Sequence, residues 1–213
     1  MRFVYRGAAV FGALAIVSLL RFPAGAEEKS GGRVSQGLLV LYAFEEPGGD
    51  AIEDRSGVGE RLDLKIETPQ AVHRSAGPFR TTSPSRIVSV RPAKKITEAV
   101  KQSGELTLEI WVRPNDDRQA GPARIASLSS DATHRNFTLG QNADRYDVRL
   151  RTTKTDANGL PSISTPAGAV KAELTHVVYT RDRSGAAKIY LNGAPRAAAE
   201  VAGELSSWSD DFR

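Results

Sequence analysis

The stretch LTHVVYTRDRSGAAKIYLNG, Leu174–Gly193, decides the fold. THVVYTR (175–181) and AKIYLN (187–192) are two alternating runs joined by the turn residues DRSG. Asn192-Gly193 then closes the second run. That pair suits a two-residue type I′ turn, because both of its central residues need positive φ. Ile189 and Leu191 fall on the core parity and Lys188 and Tyr190 on the other, so the hairpin reads as scaffold inside a larger sheet and not as a ligand site.

The same period of two recurs along the chain. In LTLEIWV, Leu106, Leu108, Ile110 and Val112 share one face, with Thr107, Glu109 and Trp111 on the other, and Pro114 stops the run. In YDVRLRT, Tyr146, Val148 and Leu150 point inward and Asp147, Arg149 and Arg151 outward. ARIASLS (123–129), NFTLGQ (136–141), LDLKI (62–66) and RIVSV (86–90) are further strands. GLLVLYAF, Gly37–Phe44, is apolar almost throughout, as a strand buried on both faces would be. AKKITEAVKQSG is the one helix expected after the N-terminal region, with Gly104 placed to end it. Nine or ten strands with almost no helix imply an all-β fold, an antiparallel β-sandwich. No period of 20–50 residues suggests a propeller or solenoid.

The N-terminus reads as a leader. MRFVYR is basic, Gly7–Leu20 is an apolar run of 14 residues, and Ala24-Gly25-Ala26 is a small-x-small cleavage pattern. The run is shorter than the roughly 20 residues of a membrane span. Residues 1–26 are therefore expected to be a signal peptide cut after Ala26, with export to the periplasm or beyond. Residues 27–36 form a polar lead-in and 37–213 the single domain. Loss of Arg2, Arg6 and Arg21 takes the formal charge from +4 to +1, and the remaining basic residues are scattered, which argues against nucleic acid as a partner. The chain has no cysteine, which excludes disulfides, thiolate metal sites and thiol catalysis within it.

In order along the chain, GLLVLYAFEE, EDRSGVG, LTLEIWVRP and LTHVVYTRDRSGAAKIYLNG resemble the laminin G-like, concanavalin A-like jelly rolls of exported bacterial proteins. The resemblance covers about 37–193. Its markers are the Asp-x-Ser-Gly loop of Asp54, Ser56 and Gly57, then Glu109 with Trp111, then His176-Val177 before the Asn-Gly hairpin. Leu174 departs from the pattern, which has an aromatic two residues before the histidine. Such domains also run on past WSDDFR into closing strands. Truncation at Arg213 is therefore expected, leaving the backbone of GLLVLYAF partly unpaired.

The resemblance implies a lectin-like module binding carbohydrate or an extracellular protein. A structural or adhesion domain of a larger protein is the second reading, and a β-glucanase the third. The glucanase pattern Glu-x-Asp-x-x-Glu, which sets two carboxylates on one strand face, is absent. The nearest pairs, Glu105/Glu109 and Glu60/Asp63, read as solvated faces, so no catalytic residue is expected. His73, His134 and His176 are too dispersed for a ligand cluster. Calcium is the plausible cofactor, through Asp50 and Asp54 with Glu53, or through Asn115, Asp116 and Asp117. The alternative for Asp54 is a turn cap. For sugar, the candidate residues are Asn142, Asp144, Arg145 and Tyr146 of the NADRY hairpin, and Trp111. Trp111 is expected instead to lie in core. The sequon at Asn136 is expected to carry nothing.

Overall fold

The computed structural model describes residues 34–74 and 79–213, together with the backbone strands 2–5, 8–10 and 14–17. Those three N-terminal strands are β1 Arg2–Tyr5, β2 Ala8–Val10 and β3 Leu14–Val17. The opening apolar run forms β4, Leu38–Tyr42. Short strands follow as β5 Ala51–Ile52, β6 Leu64–Ile66, β7 Val72–His73, β8 Phe79–Thr81 and β9 Ser85–Ser89. Helix α1, Lys94–Ser103, ends at Gly104 as expected. Then come β10 Leu106–Pro114, β11 Ala123–Ser129, β12 Arg135–Asn142, β13 Arg145–Leu150 and β14 Ile163–Ser164. β15 Thr175–Arg181, β16 Ala186–Leu191 and β17 Ala194–Glu200 complete the strands.

These strands make an all-β antiparallel sandwich. Sheet A runs β14-β13-β12-β11-β1-β9-β6-β5, and sheet B runs β17-β16-β15-β10-β2-β8-β7, with β3 pairing both β10 and β4. The alternation read from LTLEIWV holds: Leu106, Leu108, Ile110 and Val112 are at most 1% exposed. They face Ile125, Phe137, Leu139 and Val148 of sheet A in one continuous core. The Asn192-Gly193 turn has φ of 51° and 80° as a type I′ turn requires, with Ile189 and Leu191 buried beside it. The run after it is β17, an edge strand, where Pro195 costs no ladder bond.

The GLLVLYAF strand, β4, pairs with β3 from Leu14↔Tyr42 to Val17↔Leu38, its one neighbour among the described strands. One expectation needs correction. Trp111 is not core. Period two sets it on the outer face of sheet B, where it is 36% exposed and stacked on His176 at 4.6 Å between ring centroids. The expected leader over 1–26 and lead-in over 27–36 fall mostly outside the described residues.

The Asp-x-Ser-Gly loop is fastened from within. Asp54, 4% exposed, accepts the backbone N–H groups of Leu41 and Ser56 on one carboxylate oxygen. Its other oxygen takes the N–H of Leu62 and the Lys95 ammonium, the latter at 2.5 Å. Burial disfavours the charge, but Lys95 and the Ser56 and Leu62 N–H groups outweigh it and hold the carboxyl below its ordinary value. Helix α1 is thereby tied to the loop that follows β4. Asp54→Ala leaves three N–H groups unanswered and Lys95 with only the Val58 carbonyl, and should cost about 3 kcal/mol in urea unfolding at neutral pH. Because the folded pKa lies below the unfolded 3.8, this contribution is complete above that value and fades as pH falls through the folded one. The variant should therefore lose less stability than the parent on acidification from about pH 5 to pH 3.

Candidate functional site

On the outer face of sheet A the strands line up three polar residues in register, Arg149 on β13, Thr138 on β12 and Ser127 on β11. A sandwich often leaves such a face to water, yet Ser127 and Thr138 are 0% exposed. Their hydroxyls satisfy each other at 2.6 Å, and Ser127 Oγ also reaches Ser129 Oγ at 3.1 Å. Asp147 is buried alongside, accepting the Ser164 hydroxyl at 2.7 Å and lying 3.4 Å from Arg149 Nε. Arg149 Nη1 donates in turn to Asn158 at 3.1 Å.

Loops close over this polar floor. Gln141 donates to the carbonyls of Asp116 and Ala143, and Ala143 N–H donates to Gln119, which fastens the loop between β10 and β11 to the β12–β13 hairpin. The approach is close enough to demand glycine. A Cβ on Gly140 would lie 2.8 Å from the Ala123 carbonyl oxygen and 2.9 Å from Pro122 Cβ. Between this loop, the β11–β12 loop and the segment around Asn158 lies a groove of about 1050 Å³.

The groove is basic. Among the described residues Arg86, Arg118, Arg124, Arg135 and Arg149 line it, against the two acids Asp116 and Asp131. Arg135 is the largest fully buried side chain, 1% exposed. Its Nη1 donates to Thr138 at 3.0 Å and its Nη2 to the Ala132 carbonyl, while Nε has no partner. Burial, followed by repulsion from Arg124 and Arg149, brings its pKa down to about 10. Asp131 accepts the N–H groups of Thr133 and His134, which hold its carboxyl well below the usual range. What the described lining offers is chiefly a set of guanidinium groups, with Thr133 as its hydroxyl residue.

The residues picked from sequence do not converge here. Asn142 is exposed at its hairpin, Asp144 accepts the Gly168 N–H at 2.7 Å, and Arg145 donates to the Thr165 carbonyl at 3.2 Å. Tyr146 is core, 0% exposed, with its phenol pushed up to about 12 by burial. The hairpin is thus a polar turn pinned to the 165–170 loop. Asp54 acts as the turn cap, and Asp50 is exposed near Lys65. Asp116 accepts the Arg118 N–H, and no group of three acids or histidines suited to a metal ion forms among the described residues. Glu60 pairs with Arg91, Asp63 with Arg61, and Glu109 with His176 at 3.0 Å. Asn136 is buried and exchanges two hydrogen bonds with the Ser209 backbone, so its sequon is closed in the folded chain. Of the residues that sequence reading missed, Ser127 and Thr138 carried one usable signal, polar side chains on the non-core parity of adjacent strands, whereas Arg135 shares the parity of Phe137 and Leu139 and is displaced by the register shift between β11 and β12.

A family model of the laminin G type, described as the concanavalin A-like lectin/glucanases superfamily, matches residues 91–213. Neither a curated protein nor a solved structure matches the chain. The matched span contains every groove-lining residue except Arg86. Within it, Gly140→Ala should push the Pro122 loop off β12 and lower stability by about 1–3 kcal/mol, read as a lowered thermal midpoint.

Proposed function

We propose that this chain, which belongs to the concanavalin A-like lectin/glucanases superfamily, is a non-catalytic lectin-like module that takes a saccharide in the groove on sheet A. The observation that carries this is a groove of about 1050 Å³ whose described lining includes five arginines, one of which, Arg135, is buried and bonded to the Thr138 hydroxyl within the sheet. A solvated sheet face has no need to bury hydroxyls and a guanidinium. A ligand site does, because donors fixed in advance spare the ordering entropy of binding.

The acids of the groove support the non-catalytic reading. A glycosidase needs one carboxyl kept protonated as the acid and a second carboxylate facing it. Asp131 is instead held ionised by backbone N–H groups, and Asp116 is engaged with Arg118 N–H. We further propose that residues 1–26 direct export and are removed. Cleavage there would take away β1, β2 and β3, opening the ladder between β9 and β11 and between β4 and β10.

On a glycan array, with and without calcium, the protein should show saturable binding that free sugar competes away. Ala120→Trp, which places a bulky ring on an exposed groove wall, should abolish that binding and leave the thermal midpoint unchanged. A blank array would sink the saccharide reading and turn attention to a protein partner. For export, protein recovered outside the producing cytoplasm should begin at Glu27; an intact Met1 overturns the leader assignment.

A further inference from the structure

We infer that the ligand of this groove is an acidic saccharide, whose carboxylate or sulfate oxygens are held by the guanidinium groups around Arg135. This rests on the reading of the groove as a saccharide site and adds the chemical class.

Three observations carry it. The first is the state of Arg135. A guanidinium this deeply buried is expensive unless an anion answers it. Here both of its hydrogen-bond partners are neutral, a hydroxyl and a carbonyl, and its Nε has none. Arg124 and Arg149 each repel it more strongly than Asp147 or Asp131 attracts it. The second is geometry. Arg135, Arg149 and Arg124 come from β12, β13 and β11, adjacent strands of one sheet. All three line the same groove, and planar guanidinium forks match carboxylate and sulfate oxygens in pairs.

The third is what the groove lacks. None of the described residues that line it is aromatic. Among them a neutral sugar ring finds no stacking face and relies on hydroxyl exchange with water, which nets little. An anion delivered to the same donors gains charge-assisted hydrogen bonds roughly twice as strong as neutral ones. The ion pairs already present do not fill this role. Glu67 answers Arg86 at 3.1 Å and Asp147 answers Arg149 at 3.4 Å, whereas the hydrogen bonds of Arg135 go to a hydroxyl and a carbonyl.

Calorimetric titration of the full chain distinguishes the possibilities. The probes are an oligogalacturonate, a sulfated dextran fragment, a neutral β-glucan oligosaccharide of matched length and a single-stranded oligonucleotide. The carboxylated or the sulfated probe should bind at least about tenfold more tightly than the neutral one and weaken as salt is raised. Which of those two binds more tightly identifies the source of the oxyanion. Arg149→Gln should weaken binding of the acidic probe about tenfold or more. Arg135→Gln risks the fold, so Arg118→Gln, a change at an exposed side chain, serves as the second variant, with a smaller loss in the same direction. Arg196→Gln, on the edge strand of the other sheet, should change nothing. If the neutral probe binds as tightly and both salt and Arg149→Gln are without effect, the acidic class is overturned while the saccharide site stands. If no saccharide binds, the site reading falls as well. Tighter binding of the oligonucleotide than of either acidic saccharide also overturns the inference.

Discussion

Sheet A has two faces of opposite chemistry, and the molecule buries both. On β13 the inward residues Tyr146, Val148 and Leu150 enter the apolar core, while Asp147 and Arg149 alternate with them on the other side. An apolar face is buried at a gain, whereas a polar face is buried only when each donor and acceptor finds a partner. The Ser127–Thr138 hydroxyl pair, the Asp147–Ser164 bond and Arg135 meeting Thr138 fulfil most of that condition, while Arg135 Nε, Arg149 Nε and the second Asp147 oxygen make no hydrogen bond. Everything built over the floor depends on this, because loops could not settle on unsatisfied hydroxyls.

The scaffold was legible in the sequence because period two is a local property. Leu106 to Val112, Ile189 with Leu191, and the Asn192-Gly193 turn each fixed their own geometry through neighbours in the chain. The site was less legible because it depends on which parts of the chain lie over the strands. The alternation of YDVRLRT marked Asp147 and Arg149 as outward, yet nothing within those seven residues says that outward means beneath a loop. The order LTLEIWV likewise placed Trp111 off the core face, and only the assembled sheet shows that face open, with His176 as its stacking partner. Tyr146 shows the converse. Its own parity put it in the core, and the pull of a polar hairpin next to it made it look like a ligand contact.

The C-terminal tail shows how a distant segment stiffens the floor. Asn136 exchanges hydrogen bonds with Ser209 at 2.8 and 2.9 Å, Trp208 donates its indole N–H to the Arg151 carbonyl, and its ring packs at 5.9 Å from Phe137. Asn136 and Phe137 sit on β12 directly between Arg135 and Thr138. A strand held so closely on one side cannot relax to move Arg135 toward solvent. Ser129, which completes the hydroxyl cluster, donates its backbone N–H to the carbonyl of Arg213. The tail therefore fixes both strands, β11 and β12, that supply the buried hydroxyls.

That rigidity has an electrostatic consequence. A flexible surface with several arginines would spread them apart and let water answer each charge. Here Arg135 is confined by β12, Arg149 by Asp147 and Asn158, and Arg124 by Ser129 and the Asp131 carbonyl. The repulsion among them is borne by the folded state, and under the proposed reading an entering anion relieves it. Ligand binding and stability are then linked through mass action, since a ligand that binds only the folded chain stabilises it in proportion to the logarithm of its concentration. On the proposed reading, a groove that keeps a buried guanidinium short of an anion trades some folding stability for affinity. Such local departures from ideal packing are where function is expected to lie in an otherwise self-consistent fold.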